Sequence, residues 1–296
     1  MGFAEFEEKE FERPLYNQLE NGECDVWSPG QCFEGYIGFD YSGNISSYEF
    51  WERFGGFLPK GVILNDYNME YMWKKMKKRK MLPNFSMNLF IQAKRPYIHS
   101  GTFPGSVFDI KHYSFEVNQR QQKILEKLNQ KLHHRALIVY AAPVFGTYEE
   151  LYKHTQDRTV ISNTSFPKVS ELSGHTHWYY CDAYNGIAHS EEEEEETYDI
   201  FDMIEELMRG YYYTESTAFD TNVNRLAENV INVLNEFEDD VQVKYALSQI
   251  REMEKNYEYR QYRINDIHYR TVISFLTVNI FCDIFNLDWF VLGGRC

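Results

Sequence analysis

The stretch Asn88-Leu89-Phe90-Ile91-Gln92-Ala93-Lys94-Arg95-Pro96 decides the fold. It begins as an apolar run that contains aromatic and β-branched residues. It then alternates, so that Gln92 and Lys94 fall on one face of a strand. Pro96 ends the strand because proline cannot donate a hydrogen bond to a neighbouring strand. The stretch therefore predicts a strand whose end carries an amide group and an ammonium group side by side.

A second predicted strand delivers a carboxylate. In Gly35-Tyr36-Ile37-Gly38-Phe39-Asp40-Tyr41-Ser42-Gly43, the acid follows a short apolar stretch, and a glycine turn signal follows the acid. Asp40 is therefore expected at the tip of a strand. Carboxylate and amide oxygens are ligands for Mg²⁺, a hard cation that also keeps several waters.

An aspartate followed much later by Gln-x-Lys on an adjacent strand resembles the PD-(D/E)xK restriction-endonuclease-like superfamily, in the variant where glutamine replaces the second acidic residue. The resemblance implies an α/β fold with a mixed β-sheet core flanked by helices. It also implies an Mg²⁺-dependent endonuclease that hydrolyses DNA phosphodiester bonds, in restriction or anti-phage defence. Asp40 and Gln92 match the metal-binding positions, and Lys94 matches the catalytic lysine. Glutamine donates no charge, so Mn²⁺ is an expected substitute for Mg²⁺.

The resemblance also implies a glutamate from a helix ahead of the first core strand. Glu12 lies in residues 3–20, which show partial helical spacing and in which Pro14 must interrupt the hydrogen-bond ladder. Glu34 follows a proline start to a short helical turn and lies six residues before Asp40, so it is the nearer candidate, both for catalysis and as a metal ligand.

A simpler interpretation fits the same residues. Gln92 and Lys94 would form an exposed strand face, and Asp40 would cap a turn. The 52 positions between Asp40 and Gln92 are also more than such folds usually place between these two strands, so the resemblance requires an insertion, predicted at residues 44–86.

The charge distribution bears on a DNA partner. The net charge is −15, but residues 190–296 hold 23 acids against 9 bases, whereas residues 1–189 hold 22 acids against 21 bases. Because affinity for DNA comes largely from bases that neutralise phosphates, the N-terminal part is where DNA contact is expected. The predicted DNA-binding residues are Lys74, Lys75, Lys77, Lys78, Arg79, Lys80 and Arg95. The alternative for the lysine-rich run is a solvated basic helix.

The middle of the chain favours an α/β core. Residues 118–134 show apolar positions at helical spacing, and residues 136–142 form an apolar run of strand length that ends at Pro143. A strand, a helix and a buried strand in this order are typical of a βαβ-like unit. A helix is predicted at residues 147–155, and strands at residues 159–163 and 178–184. His175, His177 and Cys181 lack the second ligand pair of a structural zinc motif, so we expect them to be packed or exposed.

Six consecutive glutamates, residues 191–196, predict a linker and a domain boundary. Residues 1–190 would form the nuclease-like domain, and residues 191–296 an acidic linker with a C-terminal helical domain. The apolar block at residues 271–282 is either a core helix or an interface for a homodimer or a partner subunit. The alternative function is a non-catalytic scaffold, in which the acidic helical region binds a partner.

Composition limits the remaining classes of protein. No apolar run approaches the roughly 20 residues of a membrane-spanning helix. The first residues carry acids rather than a basic region followed by an apolar stretch, so no secretory signal is predicted. The five cysteines are odd in number and have no paired spacing, which favours a reducing cytoplasm.

Overall fold

The structure is a computed structural model that describes residues 2–22, 24, 26–30, 85–102, 109–188, 195–196, 198–211, 218–259 and 266–293. Its strands are β1 (Gly2–Phe3), β2 (Val26–Trp27), β3 (Phe85–Ala93), β4 (Tyr97–Thr102), β5 (Asp109–Glu116), β6 (Ala136–Pro143), β7 (Thr164–Ser165), β8 (His177–Tyr180), β9 (Asn185–Ala188), β10 (Glu195–Glu196) and β11 (Asp288–Gly293). Its helices are α1 (Glu8–Glu20), α2 (Gln119–Leu132), α3 (Tyr148–Asp157), α4 (Ile200–Tyr211), α5 (Phe219–Glu236), α6 (Val241–Tyr259) and α7 (Asp266–Phe285).

The strands form two sheets, so the predicted mixed α/β class is confirmed. The core sheet has the order β2-β11-β3-β6-β7, and the side sheet has the order β1-β4-β5-β8-β9-β10. In the core sheet β3 runs parallel to β6 and antiparallel to β11. All pairings in the side sheet are antiparallel.

The strand predicted from Asn88–Pro96 is confirmed as β3, in the middle of the core sheet. The predicted helix and the buried strand after it are confirmed as α2 and β6, and every residue of β6 is buried. The β4–β5 hairpin lies between β3 and α2 in the chain and belongs to the side sheet. The connection from β3 to its parallel neighbour is therefore longer than the predicted strand-helix-strand unit.

The core sheet is covered on both faces because alternate residues of its central strands point in opposite directions. Phe90 of β3 and Tyr140 of β6 lie on the first face, where they pack with α2, α5, α6, α7 and the inner face of the side sheet. Ile91 and Val139 lie on the second face, where they pack with α1, α3 and α4. Burial of apolar side chains on both faces of one sheet provides most of the packing stabilisation.

Local capping explains where two of the confirmed helices begin. The Asn118 side chain accepts hydrogen bonds from the backbone N–H groups of Arg120 and Gln121 at the start of α2. Thr147 and Glu150 form a capping box at the start of α3.

One local prediction was wrong. Residues 161–163 form a 3₁₀ turn instead of a strand, and the short strand β7 begins at Thr164. Helix α1 continues through Pro14, where the sequence predicts a break in the hydrogen-bond ladder. Proline removes the intrahelical hydrogen bond to the carbonyl of Glu10, and Glu10 lies on the exposed side of the helix, where solvent can replace that bond. The predicted aromatic strand at 178–184 is present but shorter, as β8.

The predicted division at residue 190 does not coincide with a break in the core. Strand β11, near the end of the chain, pairs with β3 in the middle of the core sheet. Helices α5, α6 and α7 share one apolar cluster with α2, β3 and β6. Residues of the apolar block in α7, such as Phe275, Val278 and Phe281, are buried, so this block is a core helix.

Two further observations concern membrane-spanning helices and the state of the cysteines. In the described part of the chain no helix combines the length and the apolar character needed to span a bilayer. Cys24 is disulfide-bonded, whereas Cys181 and Cys282 are not in a disulfide. The disulfide does not fit the simple argument for a reducing compartment, and a cytoplasmic location stays a prediction.

A buried amide pair connects α5 to the core sheet. The side chains of Asn88 on β3 and Asn222 on α5 hydrogen-bond to each other in both directions, at 3.1 Å each. The Trp289 indole N–H of β11 donates to the same Asn88 Oδ1 at 3.0 Å. Buried polar groups cost free energy unless they are paired, so this cluster fixes three elements in one arrangement.

We expect Asn222→Ala to lower the free energy of unfolding by about 2 kcal/mol, because it removes both hydrogen bonds between the two buried amides and leaves Asn88 Nδ2 only the longer bond to the Arg135 carbonyl, at 3.4 Å. Asn229→Ala, on the same helix, removes a partly exposed side chain that hydrogen-bonds only to the Arg225 carbonyl of its own helix, and it should change stability by less than about 0.5 kcal/mol. Urea unfolding followed by circular dichroism measures both. Equal effects of the two substitutions would contradict the role of the pair.

Candidate active site

The carboxyl end of β3 opens into a cleft of about 560 Å³. The backbone N–H of Lys94 donates to the Ala141 carbonyl at 2.9 Å, so the parallel pairing with β6 continues past the last residue of the strand. Three acids and three bases line the cleft: Glu7, Glu8, Glu116, Lys9, Lys94 and Arg95. The cleft is thus charged but nearly balanced.

Gln92 lies on the first face of the core sheet, two residues before Lys94. Its side chain is 2% exposed, and Nε2 donates to the Phe285 carbonyl at the end of α7 at 3.2 Å. Gln121 of α2 donates to the same carbonyl. In the described part of the chain Oε1 of Gln92 has no hydrogen-bond partner. A buried amide oxygen without a partner is rare, and it is suited to accept a bond from a ligand.

Lys94 follows Gln92 on the same face, as the sequence predicts. Its Nζ lies 5.5 Å from the centre of the Tyr140 ring, and Tyr140 is the residue of β6 opposite Gln92. Burial lowers the pKa of Lys94, and the carboxylates of Glu8 and Glu116 oppose this shift. The Tyr140 hydroxyl donates to Gln122 Oε1 at 2.6 Å, which fixes the ring beneath the ammonium group. Because Gln92 is buried, the alternative interpretation, in which Gln92 and Lys94 form an exposed strand face, is wrong for Gln92.

Glu8, in the first turn of α1, is with Glu116 one of two carboxylates that act on Lys94. Its Oε1 accepts from the Arg95 backbone N–H at 3.3 Å, and its Oε2 accepts from Asn286 Nδ2 at 3.4 Å. Sequence reasoning ranked Glu34 first and, on this helix, chose Glu12. Choosing between Glu8 and Glu12 requires knowing which turn of α1 faces the end of β3, and helical spacing alone does not carry this information.

Glu12 lies elsewhere. Its side chain is buried and pairs with Lys9 Nζ at 2.7 Å, on the side of α1 that faces Asp288. The Tyr16 hydroxyl donates to Asp288 Oδ2 at 2.8 Å. Burial raises the pKa of Glu12, and the hydrogen bond from Lys9 opposes this shift. Because Asp288 pairs with Ile91, this group belongs to the second face of the sheet, opposite Gln92.

Arg95 connects the cleft to the N-terminal segment. Its guanidinium group donates twice to the Ala4 carbonyl, at 2.9 and 2.6 Å, and pairs with Glu7 at 2.7 Å. A phosphate contact by Arg95, as predicted from the sequence, would compete with these bonds.

The other predicted site residues lie outside the described residues. These are Asp40, Glu34, Lys74, Lys75, Lys77, Lys78, Arg79 and Lys80, together with residues 44–84 of the insertion predicted at 44–86. In the part that is described, no group of three or more His, Cys, Asp or Glu side chains could hold a metal ion. His175, His177 and Cys181 accordingly form no such group, and the His177 ring stacks on Tyr179 at 5.9 Å.

The lowered pKa of Lys94 predicts a difference in chemical reactivity. Because only a neutral amine reacts with acylating reagents, modification of Lys94 should reach its midpoint at a lower pH than modification of Lys111. A hydrogen bond with Tyr113 and the Glu150 carboxylate raise the pKa of Lys111. Labelling over a pH series, read by peptide mass spectrometry, gives both midpoints. Coincident midpoints would contradict the desolvation of Lys94.

Comparisons of the whole chain with known protein families, with curated proteins and with solved structures find no match.

Proposed function

We propose that the protein is a metal-dependent endonuclease that hydrolyses phosphodiester bonds in DNA, with Lys94 as its catalytic lysine. The observation that carries the proposal is the end of β3. There a buried amide oxygen without a partner, Gln92 Oε1, is followed on the same face by a desolvated ammonium group in a cleft. This is the pair of groups that the resemblance to the PD-(D/E)xK superfamily requires at these positions.

The described residues supply one of the oxygen ligands that Mg²⁺ or Mn²⁺ would need. Gln92 Oε1 is a neutral oxygen ligand of the kind that hard cations accept. The described residues supply no set of three acidic or histidine ligands. We therefore assign the anionic ligand to Asp40, with Glu34 as a further candidate. A bound metal would polarise the scissile phosphate and lower the pKa of a water molecule.

The residues of the cleft supply the positive charge that hydrolysis requires and the groups that hold it in place. Protonated Lys94 would stabilise the negative charge that develops on the phosphoryl oxygens during hydrolysis. Its pKa is lowered by burial, and the carboxylates of Glu8 and Glu116 oppose the shift, which favours the protonated form. The Tyr140 ring lies against the ammonium group, and the hydrogen bond from its hydroxyl to Gln122 fixes the ring. Because the Glu8 carboxylate opposes the fall in the pKa of Lys94, Glu8 acts as a positioning and charge-balancing residue.

The first test is cleavage of supercoiled plasmid and linear duplex with Mg²⁺, Mn²⁺ or chelator. We expect metal-dependent cutting by the wild type, and a loss of about a hundredfold or more in Lys94→Ala and Asp40→Ala, because each removes a group that acts on the developing charge or the metal. Lys111→Ala is the matched control, since Lys111 lies outside the cleft.

Unchanged cutting by folded Lys94→Ala would contradict the assignment of the catalytic lysine. If the wild type does not cut with either metal, calorimetric titration of Mg²⁺ into wild type and Asp40→Ala distinguishes a metal site that lacks an activator from a non-catalytic scaffold.

A second test concerns pH. If protonated Lys94 is required, activity falls as the pH rises through the pKa of Lys94. Glu8→Gln removes a carboxylate that raises this pKa, so the falling limb should move to lower pH. Glu12→Gln, on the other face of the sheet, should leave the limb in place. The measurement is the pH dependence of kcat for the two variants, and an identical limb in both would contradict the role of Glu8.

A further inference from the structure

A second and larger cavity lies on the other side of α1. It is a groove of about 1090 Å³ between α1 and α3, closed at one end by the start of α4. We call it the α1–α3 groove. Arg13 and Asn17 line it from α1, Tyr148 and Tyr152 line it from α3, and Arg158 lies at the C-terminal cap of α3. Its volume is at the upper end of the range of small-ligand pockets.

Two acids and two bases line the groove: Glu10 and Asp199, and Arg13 and Arg158. Glu10 accepts hydrogen bonds from the Glu7 backbone N–H at 2.8 Å and from the Tyr148 hydroxyl at 2.9 Å, which lower its pKa. Asp199 accepts from the Phe201 backbone N–H at the start of α4 at 2.8 Å. The two arginines differ from these acids. Among the described residues neither guanidinium group has a hydrogen-bond or ion-pair partner.

Two arginines on opposite walls, whose guanidinium groups each lack a partner among the described residues, are suited to an anion. Arginine offers a planar fork of N–H donors that matches phosphate oxygens. Arg158 is held at the end of α3 in a left-handed conformation, with φ of 56°, and its backbone N–H donates to the Thr155 carbonyl. Arg13 projects from the middle of α1. The groove therefore presents cationic groups from two rigid elements.

The groove also presents flat aromatic surfaces. Tyr152 is 65% exposed and Tyr148 is 50% exposed, and both line the groove. Both hydroxyls are engaged. Tyr148 donates to Glu10, and Tyr152 accepts from Gln156 Nε2 at 2.7 Å. The Tyr148 ring also packs edge-on against Phe6, with ring centres 6.4 Å apart. Rigid exposed rings of this kind are platforms on which nucleobases stack.

Asn17 adds a side-chain amide to the lining of the groove. It lies one helical turn after Arg13 on α1, and its side-chain amide has no hydrogen-bond partner in the described part of the chain. An amide that both donates and accepts can pair with the edge of a base. Cation, aromatic ring and amide are the three groups that recognise the phosphate, the face and the edge of a nucleotide.

We infer that the α1–α3 groove binds a nucleotide, either free or as part of a single-stranded nucleic acid. Arg13 and Arg158 hold its phosphate, Tyr152 and Tyr148 hold its base, and Asn17 contacts the edge of the base. The inference goes beyond the proposed hydrolysis and does not depend on it, since none of these residues lines the cleft of Lys94.

The test is fluorescence anisotropy of the full chain with a short fluorescein-labelled oligothymidylate, in chelator, so that no metal-dependent cleavage takes place. We expect saturable binding that weakens about tenfold in Arg13→Gln and in Arg158→Gln, and by a similar factor in Tyr152→Ala. The matched controls are Arg120→Gln and Tyr245→Ala, which replace an exposed arginine and an exposed tyrosine outside the groove. These should stay within about twofold of the wild type.

Two competitors identify the source of the nucleotide. Thymidine 5′-monophosphate that displaces the oligomer at a similar concentration indicates a free nucleotide, whereas weak displacement indicates a single strand. Either result supports the inference. It is overturned if the oligomer does not bind, if the controls weaken binding as much as the groove variants, or if inorganic phosphate competes as well as the nucleotide and Tyr152→Ala has no effect.

Discussion

The parallel pairing of β3 with β6 is the constraint on which the rest of the structure depends. It continues through the Lys94 N–H bond to the Ala141 carbonyl, so the backbone at Lys94 is held although the strand has ended. It also places Tyr140 opposite Gln92, which gives the ammonium group of Lys94 an aromatic ring to lie on. Because β6 is buried throughout, the polar end of β3 meets an apolar neighbour, and this is why Lys94 is desolvated.

Helix α1 serves three environments at once because its side chains repeat every 3.6 residues. Phe11, Leu15 and Leu19 are buried against the core sheet. Glu8 faces the cleft at the end of β3, whereas Arg13 faces the α1–α3 groove on the other side. One helix thus separates a partly desolvated cleft from a groove whose two arginine guanidinium groups have no partner among the described residues. The two cavities differ in chemistry because they are lined by different faces of the same helix.

Local patterns in the sequence predicted the elements that bury apolar residues, and they failed where position depends on distant parts of the chain. The alternation that ends in Gln92 and Lys94 predicted their common face, and the apolar run of β6 predicted a fully buried strand. Glu8 was passed over because its partners, Arg95 and Asn286, come from elements far away in the sequence. The pairing of β11 with β3 likewise has no local signal in the sequence, so the glutamate run alone indicated a division of the chain.

The position of β11 has a consequence for the order in which the protein is made. Trp289 hydrogen-bonds to Asn88 across 201 positions of the chain, and β11 lies between β2 and β3 in the core sheet. During synthesis from the N-terminus, the edge of β3 that pairs with β11 stays unpaired until residues 288–293 leave the ribosome, and closing so long a loop is slow. Asn286, which donates to Glu8 in the cleft, is made just before this strand. A nascent chain that ends before residue 286 therefore lacks part of the cleft.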